Sequence, residues 1–225
     1  MTNTVAVAID GPSGAGKSTI ARILAADLGF VYVDTGALYR TVGLAVLGAG
    51  LDVHDEAAVI PLLSTLQVSL GYRDGVQRVF LNGEDVSDRI RTPEVSMAAS
   101  AVSALPAVRR FLFDLQQDTA RRQNVIMDGR DIGTVVLPFA KVKIFLTASA
   151  EDRAQRRFEE LCEKGVATTY EEVLADMKQR DYNDSHRAAA PLRPAEDAVM
   201  VDTSGNTLEQ SVALLKSLVE ERLEG

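Results

Sequence analysis

The sequence predicts an α/β fold in which a parallel sheet is covered by helices on both faces. Between strand-like segments, residues such as Ile20, Ile23 and Leu24 recur at helical spacing. Strands that alternate with helices in this way form parallel sheets with both faces buried. Five short apolar runs are typical of such buried strands: residues 4–9, 30–33, 125–127, 142–146 and 198–201.

One stretch departs from this alternation and predicts a small antiparallel sheet. Residues 66–92 contain Asp74-Gly75 and Asn82-Gly83, two dipeptides that favour tight hairpin turns, with strand-like residues around them. We therefore expect one domain over residues 1–225 that carries a three-stranded insertion at roughly 62–105.

Composition narrows the classes of function. The 225 residues carry a formal net charge of −8 at pH 7, which argues against a protein that binds nucleic acid through a basic face. Cys162 is the one cysteine, so no internal disulfide is expected and a reducing cytoplasm is the expected location. No stretch approaches 18 uninterrupted apolar residues, so we expect no membrane association.

The stretch AIDGPSGAGKST, residues 8–19, predicts a phosphate-binding loop. Gly11, Gly16, Lys17 and Ser18 match the P-loop pattern and follow a strand and precede a helix, as that pattern requires. Backbone N–H groups and the helix N-terminus then favour an anion. Lys17 would contact the transferring phosphate and the Ser18 hydroxyl would ligate Mg²⁺, with Thr19 as the alternative ligand.

ATP is the expected nucleotide, because no Asn-Lys-x-Asp string of the guanine-reading kind occurs. A glycine-rich turn without a ligand is the alternative, which the lysine, the hydroxyl and the strand-to-helix context oppose. The residues expected to bind ATP are Gly11, Pro12, Ser13, Gly14, Ala15, Gly16, Lys17, Ser18 and Thr19.

Arginines indicate that the phosphoryl acceptor is also an anion, since a planar guanidinium suits bidentate phosphate recognition. On one predicted helix, Arg180, Asp184 and Arg187 share a face, for which a surface ion pair is the alternative interpretation. The arginines that recur beyond strands or along helices are Arg40, Arg109, Arg130, Arg180 and Arg187. A second set on one helix face is Arg153, Arg156 and Arg157, and solvated helix charges are the alternative there.

The motifs together resemble the bacterial cytidylate kinases. In order between residues 10 and 192 they are DGPSGAGKST, DTGALYR, GEDVSDRIRT, DGRDIGTVV, VKIFLTAS and RDYNDSHRAAAPL. The resemblance implies a P-loop kinase fold with a five-stranded parallel sheet flanked by helices. It also implies a β insertion at 62–105 in the monophosphate-binding region and a lid at 150–190. The implied reaction transfers the γ-phosphoryl group of ATP to CMP or dCMP, giving CDP or dCDP and ADP.

The resemblance also assigns an acceptor site. Asp131 would accept from the exocyclic amine of cytosine, and the alternative is that Asp131 only orders Arg130 by an ion pair. Asp184 and Arg187 would address the sugar and the lid side. The residues expected to bind CMP are Thr35, Arg40, Ser100, Arg109, Arg130, Asp131, Arg180, Asp184 and Arg187.

Catalysis would need no general base, because the attacking phosphate is already ionised near neutral pH, with a second pKa of about 6. Asp128 would hold Mg²⁺ through water, and capping of a turn is its alternative role. A lid bearing Arg153, Arg156 and Arg157 would exclude water. The residues expected to stabilise the transferring group are Lys17, Arg130, Arg153, Arg157 and Arg180.

Two other classes of protein share parts of this pattern. A P-loop kinase of another small acceptor, UMP or a shikimate-type hydroxyl compound, shares the P-loop and a strand-end aspartate such as Asp34. A switch-type ATP-binding module would keep the P-loop without the acceptor arginines. We expect a monomeric enzyme whose partners are ATP and CMP or dCMP, with no nucleic-acid partner.

Overall fold

Strands and helices alternate along most of the chain, as the hydrophobic pattern predicts. The computed structural model describes residues 4–224. The strands are Ala6–Asp10 (β1), Val31–Asp34 (β2), Val68–Arg73 (β3), Val76–Leu81 (β4), Glu84–Asp85 (β5), Val125–Gly129 (β6), Val142–Thr147 (β7) and Val199–Asp202 (β8). The helices are Lys17–Leu28 (α1), Thr35–Gly48 (α2), Glu56–Leu63 (α3), Pro93–Val102 (α4), Pro106–Arg122 (α5), Ala150–Glu163 (α6), Tyr170–His186 (α7) and Leu208–Glu224 (α8). A short 3₁₀ segment, Arg89–Arg91, and a single π turn, Ile132–Val136, complete the described elements.

The main sheet has five parallel strands in the order β2-β6-β1-β7-β8. These are the five apolar runs that the sequence predicts as strands, with ends within about two residues of the expected ones. The predicted fold class is therefore confirmed. Because β1 lies at the centre, the loop that follows it opens at the carboxyl edge of the sheet, where ligands of such folds bind.

Both faces of the sheet are covered because side chains alternate along β1. Val7 and Ile9 pack on one side with Leu24 of α1 and Leu215 of α8. Ala6 and Ala8 lie in a second cluster on the other side, with Ala120 of α5 and residues of the π turn. All five residues of β1 are buried, which fixes the start of the P-loop rigidly.

The insertion forms the predicted antiparallel sheet, β3-β4-β5. Its two turns fall on the two predicted dipeptides, and Asp74, Gly75, Asn82 and Gly83 all have positive φ, from 51° to 84°. Such backbone suits the twist of a tight hairpin. Val79 of β4 shares a buried cluster with α2, α4 and α5, so the small sheet rests firmly on the helical layer. The limits 62–105 of a functional insertion stay a prediction.

Helices α6 and α7 form a separate hairpin above the carboxyl edge. A small cluster around Ala154, Val173 and Met177 holds them together. Thr169 and Glu172 form a capping box at the start of α7, with the Glu172 amide donating to the Thr169 hydroxyl at 3.2 Å. The lid limits 150–190 also stay a prediction. Within residues 4–224, no helix has both the length and the apolar character needed to cross a bilayer.

Candidate active site

A cleft of about 890 Å³ opens between the P-loop, the small sheet and the α6–α7 hairpin. Of the residues expected to bind ATP, CMP or metal, all except Gly11 and Pro12 line this cleft. The fold thus brings together side chains from five separate motifs. The nucleotide end and the arginine-rich end belong to one continuous space, as phosphoryl transfer between two ligands requires.

The P-loop has the backbone geometry of an anion cradle. Gly14 and Gly16 have φ of 75° and 83°, values that favour glycine. At Gly11, a Cβ atom would lie 1.9 Å from the carbonyl oxygen of Leu146, so no other residue fits there. Lys17 is buried at the start of α1, and its Nζ donates to the Pro12 carbonyl oxygen at 2.6 Å.

The Lys17 ammonium has no anionic partner among the described residues. Its pKa is lowered to about 7, mainly by burial and also by Arg130, although Asp128 and Asp10 oppose the shift. In the described part of the chain, no carboxylate lies within ion-pair distance of Lys17. A phosphate group in the loop would supply the missing negative charge.

An oxygen-rich corner adjoins the P-loop at Asp128. Ser18 Oγ donates to its Oδ2 at 2.8 Å, and Tyr32 donates its hydroxyl to Oδ1 at 2.9 Å. Burial and the Asp34 carboxylate raise the pKa of Asp128 to about 6, against Lys17 and these two hydrogen bonds. Hydroxyl and carboxylate oxygens are the ligands that Mg²⁺ prefers, so the pair fits that ion. It is Ser18, rather than Thr19, whose hydroxyl meets Asp128.

The described residues add no larger ligand cluster to this corner. Within residues 4–224, no group of three or more histidine, cysteine, aspartate or glutamate side chains is arranged to hold a metal ion. Thr35 Oγ1 donates to the backbone oxygen of Asp128 at 2.7 Å. The lone pairs of the Thr35 hydroxyl stay free to accept from a ligand. A cation here would therefore complete its shell with water and phosphate oxygens.

Arg180, at the acceptor end, has no partner among the described residues. Arg180 forms no hydrogen bond or ion pair within the described residues, and its Nε is buried. Burial lowers its pKa to about 10, with Arg130 and Arg40 contributing in the same direction. The expected alternative, a surface ion pair with Asp184, is wrong, because Arg130 Nε occupies that carboxylate at 2.8 Å.

Arg40 reaches the same region from α2. Its Nη2 lies 2.7 Å from Asp34 Oδ2, while its Nε is buried without a partner. Asp34 also caps α2 by accepting from the Ala37 amide at 2.9 Å. Burial would raise the pKa of Asp34, but Arg40 and Arg91 outweigh it, so the pKa lies below its ordinary value.

Asp131 lies between two arginines at the far end of the cleft. Arg109 forms an ion pair with its Oδ2, and Arg187 Nη2 lies 3.4 Å from its Oδ1. The alternative that Asp131 orders Arg130 is therefore wrong, since Arg130 turns toward Asp184. Burial raises the pKa of Asp131 in spite of both cations. Ser100 lines the same part of the cleft.

The three arginines of α6 all line the cleft, but they differ in environment. Arg153 is buried, and its Nε, Nη1 and Nη2 donate to Ala148 O, Ser13 O and Asp181 at 2.9, 2.8 and 2.6 Å. Among residues 4–224, Arg157 bonds only Glu160, at 2.7 Å. The guanidinium of Arg153 thus holds the P-loop to the hairpin, whereas that of Arg157 is freer to meet a ligand.

Sequence reasoning missed two residues that hold the cleft together. Asp10 accepts from the amides of Ile132 and Gly133, both at 2.7 Å, and joins the end of β1 to the turn after Asp131. Gln77 accepts from the Asp34 amide at 2.8 Å and ties the small sheet to β2. Asp10 could have been predicted, because it is a carboxylate at the end of a strand. The sequence around Gln77 gives no sign of its role.

Comparison with known proteins gives a consistent result. A family model described as cytidylate kinase matches residues 7–221. The cytidylate kinase of Caldicellulosiruptor bescii is 52% identical over 204 residues, covering 91% of this chain and 90% of the relative. That of Pasteurella multocida is 46% identical over 224 residues, covering 100% and 99%. A crystal structure of an uncharacterized protein from Eubacterium ventriosum shares the fold, with a TM-score of 0.54, 10% identity and coverage of 97% and 99%. The family match spans the P-loop, the small sheet and the hairpin.

Proposed function

The chain belongs to the cytidylate kinase family, and from this we propose that it transfers the γ-phosphoryl group of ATP to CMP or dCMP, giving CDP or dCDP and ADP. One observation carries the proposal at the level of the site: the half-buried Arg180 side chain, which has no hydrogen bond or ion pair among the described residues, lines the same cleft as the Lys17 ammonium, which has no ion-pair partner there. Two cations that line one cleft and have no ion-pair partner among the described residues suit two phosphate-bearing ligands. A kinase of an uncharged hydroxyl compound has no use for the second.

The reaction requires that the charge of the phosphates be neutralised and that the reacting atoms be aligned. An oxygen of the CMP phosphate attacks the γ-phosphorus of ATP in line, and the bond to the ADP oxygen breaks. Lys17 stabilises the charge on the transferring group, while Arg40, Arg130 and Arg180 hold the acceptor phosphate. Because that phosphate has a second pKa of about 6, no side chain needs to take its proton at neutral pH.

Mg²⁺ would enter with ATP and be held by Ser18 directly and by Asp128 through water. When bound, the ion supplies positive charge to the phosphate oxygens. Ser18 and Asp128 orient one another through the 2.8 Å hydrogen bond, and Tyr32 keeps the carboxylate turned toward the cleft. The nine P-loop residues from Gly11 to Thr19 would enclose the ATP phosphates, and Arg153 and Arg157 would act from the lid.

Cytosine would be recognised at the opposite end. Asp131 can accept from the exocyclic amine, while Arg109 and Ser100 can donate to the ring acceptors. Thr35 would contact the nucleotide nearer the phosphate, and Asp184 and Arg187 would address the sugar. Residues 62–105 and 150–190 would be the two mobile parts of a single domain, closing over CMP and over ATP. We propose a monomer in the cytoplasm that acts in pyrimidine nucleotide metabolism, with no nucleic-acid or membrane partner.

A coupled assay for ADP release tests the function directly. The purified chain is supplied with MgATP and, separately, CMP, dCMP, UMP, AMP or shikimate. We expect CMP and dCMP to raise ADP release far above the rate without acceptor. Preference for UMP or shikimate would assign another kinase activity, and ATP hydrolysis that ignores every acceptor would indicate a switch-type module.

ATP binding at pH 8 is expected to take up about one proton, because Lys17, with a pKa of about 7, is mostly neutral in the free protein. The ATP phosphates raise the pKa of Lys17 above 8, so the amine becomes charged as ATP binds. Titration calorimetry in two buffers of different ionisation enthalpy measures the uptake. ATP itself is fully deprotonated at this pH, and Lys17→Met should abolish the effect. Equal uptake by the wild type and Lys17→Met would contradict the assignment.

Asp131→Asn is expected to lower the CMP to UMP ratio of kcat/KM by about tenfold or more, since a mismatched hydrogen bond costs roughly 1–3 kcal/mol. The asparagine amide N–H and the cytosine amine are both donors and cannot bond each other, whereas the amide N–H can donate to the O4 atom of uracil. Both activities should also fall, because Arg109 and Arg187 lose their carboxylate. Asp197→Asn is the control, as Asp197 pairs with Lys143 outside the cleft. An unchanged ratio would remove Asp131 from the base-reading residues.

A further inference from the structure

Four residues at the cytosine end form a closed ring of hydrogen bonds. Asp131 accepts from Arg109 and Arg187, and both of these arginines also donate to Ser103. Arg109 Nη1 reaches the Ser103 backbone oxygen at 3.1 Å, and Arg187 Nη1 reaches the Ser103 hydroxyl oxygen at 3.0 Å. The ring therefore connects the end of α4 to α5, to the turn after β6 and to the end of α7.

The orientation of the Ser103 hydroxyl is fixed. Its proton is donated to the Ser100 carbonyl oxygen at 2.8 Å, so a lone pair is left for Arg187. Ser103 is 7% exposed, and its amide completes the last turn of α4 by donating to Ala99 O at 3.0 Å. This serine was not among the residues expected from the sequence.

The Ser103 hydroxyl supplies the shorter of the two bonds that orient the end of the Arg187 guanidinium. The Arg187 Nη2 to Asp131 distance is 3.4 Å, compared with 3.0 Å to Ser103 Oγ. Arg187 Nε is engaged elsewhere, by the Ala190 carbonyl oxygen at 2.8 Å. Without the hydroxyl, Nη1 would lose its acceptor at a nearly buried site, and the guanidinium would turn away from Asp131.

We propose that Ser103 is a positioning residue for CMP recognition: its hydroxyl holds Arg187 against Asp131 and so keeps the base-reading carboxylate in place. The inference rests on the proposed function. Ser103 acts on Asp131 through Arg187 and not through Arg109, because the bond from Arg109 goes to the backbone and survives any side-chain change. Its removal therefore affects the acceptor end of the cleft and leaves the ATP end unchanged.

Ser103→Ala tests the proposal with little change in volume. We expect the KM for CMP to rise about fivefold to tenfold and the CMP to UMP ratio of kcat/KM to fall about threefold, as expected for one lost hydrogen bond to a charged group. The KM for ATP should stay within about twofold. A purely structural role would lower the melting temperature and reduce the use of both nucleotides together.

Ser64→Ala is the matched control. Ser64 also ends a helix, α3, and its hydroxyl donates to the carbonyl oxygen three residues earlier, at 2.7 Å, as Ser103 does. Ser64 lies outside the cleft and should leave both KM values unchanged. The proposal would be overturned if Ser103→Ala raised the KM for CMP no more than Ser64→Ala does.

A double-mutant cycle tests the route through Arg187. In an Arg187→Ala background, Ser103→Ala should raise the KM for CMP by less than about twofold, and a full multiplicative effect would overturn the proposed route. The wild type separates the two levels of the proposal. If it releases no ADP in response to CMP, the proposed function fails together with this inference. If it phosphorylates CMP and Ser103→Ala behaves identically, only the inference fails.

Discussion

Lys17→Ala is expected to reduce kcat with ATP and CMP by more than about a hundredfold, the scale seen when one preorganised donor to the reacting group is lost. The fold should persist, because within residues 4–224 the Lys17 ammonium makes one hydrogen bond, to Pro12 O, and no ion pair. Removal of a buried cation whose pKa is depressed to about 7 also removes an unfavourable charge. Steady-state kinetics and thermal unfolding measure the two effects.

Lys141→Ala is the control for this change. Lys141 also donates to a backbone carbonyl, that of Leu223 at 2.7 Å, but it lies outside the cleft. Its kinetics should match those of the wild type. Near-wild-type turnover by Lys17→Ala would refute the placement of the γ-phosphate in this loop, whatever the melting temperature.

Arg180→Ala is expected to raise the KM for CMP by about tenfold to a hundredfold, as for a lost charge-assisted hydrogen bond, with little change in ATP affinity. The same variant should be no less stable than the wild type. The pKa of Arg180 is lowered to about 10 by burial and neighbouring arginines, which means that the free protein disfavours this charge at every pH below that value. Arg180→Met, which preserves much of the packing, should be equally stable or more so.

Arg130→Ala provides the contrast. It should also weaken the use of CMP, but it leaves the buried Asp184 carboxylate without its 2.8 Å partner, so its melting temperature should fall. Arg110→Ala, at an exposed position of α5, should change neither property. If Arg180→Ala loses ATP affinity while its KM for CMP is unchanged, the division of the cleft into a donor and an acceptor end is wrong.

Local patterns in the sequence determine a large part of this molecule. The five parallel strands follow from five apolar runs, and both hairpin turns follow from Asp74-Gly75 and Asn82-Gly83. The P-loop follows from glycine, lysine and serine spacing between a strand and a helix. Once the strand order is set, residues that follow strand ends meet at one edge, so membership of the cleft was also predictable. These features depend on neighbours in sequence.

The partners of the charged groups were decided only by the tertiary structure. Arg130 meets Asp184 across 54 residues, and Arg187 meets Ser103 across 84, whereas Arg180 and Asp184, four residues apart on one helix face, do not pair. The sequence shows that an arginine is charged and on which helix face it lies, but these properties do not distinguish one arginine of that face from another. Which carboxylate each one reaches depends on how α7 packs over the ends of β6 and α4, so this packing decides whether a guanidinium is paired or left for a ligand.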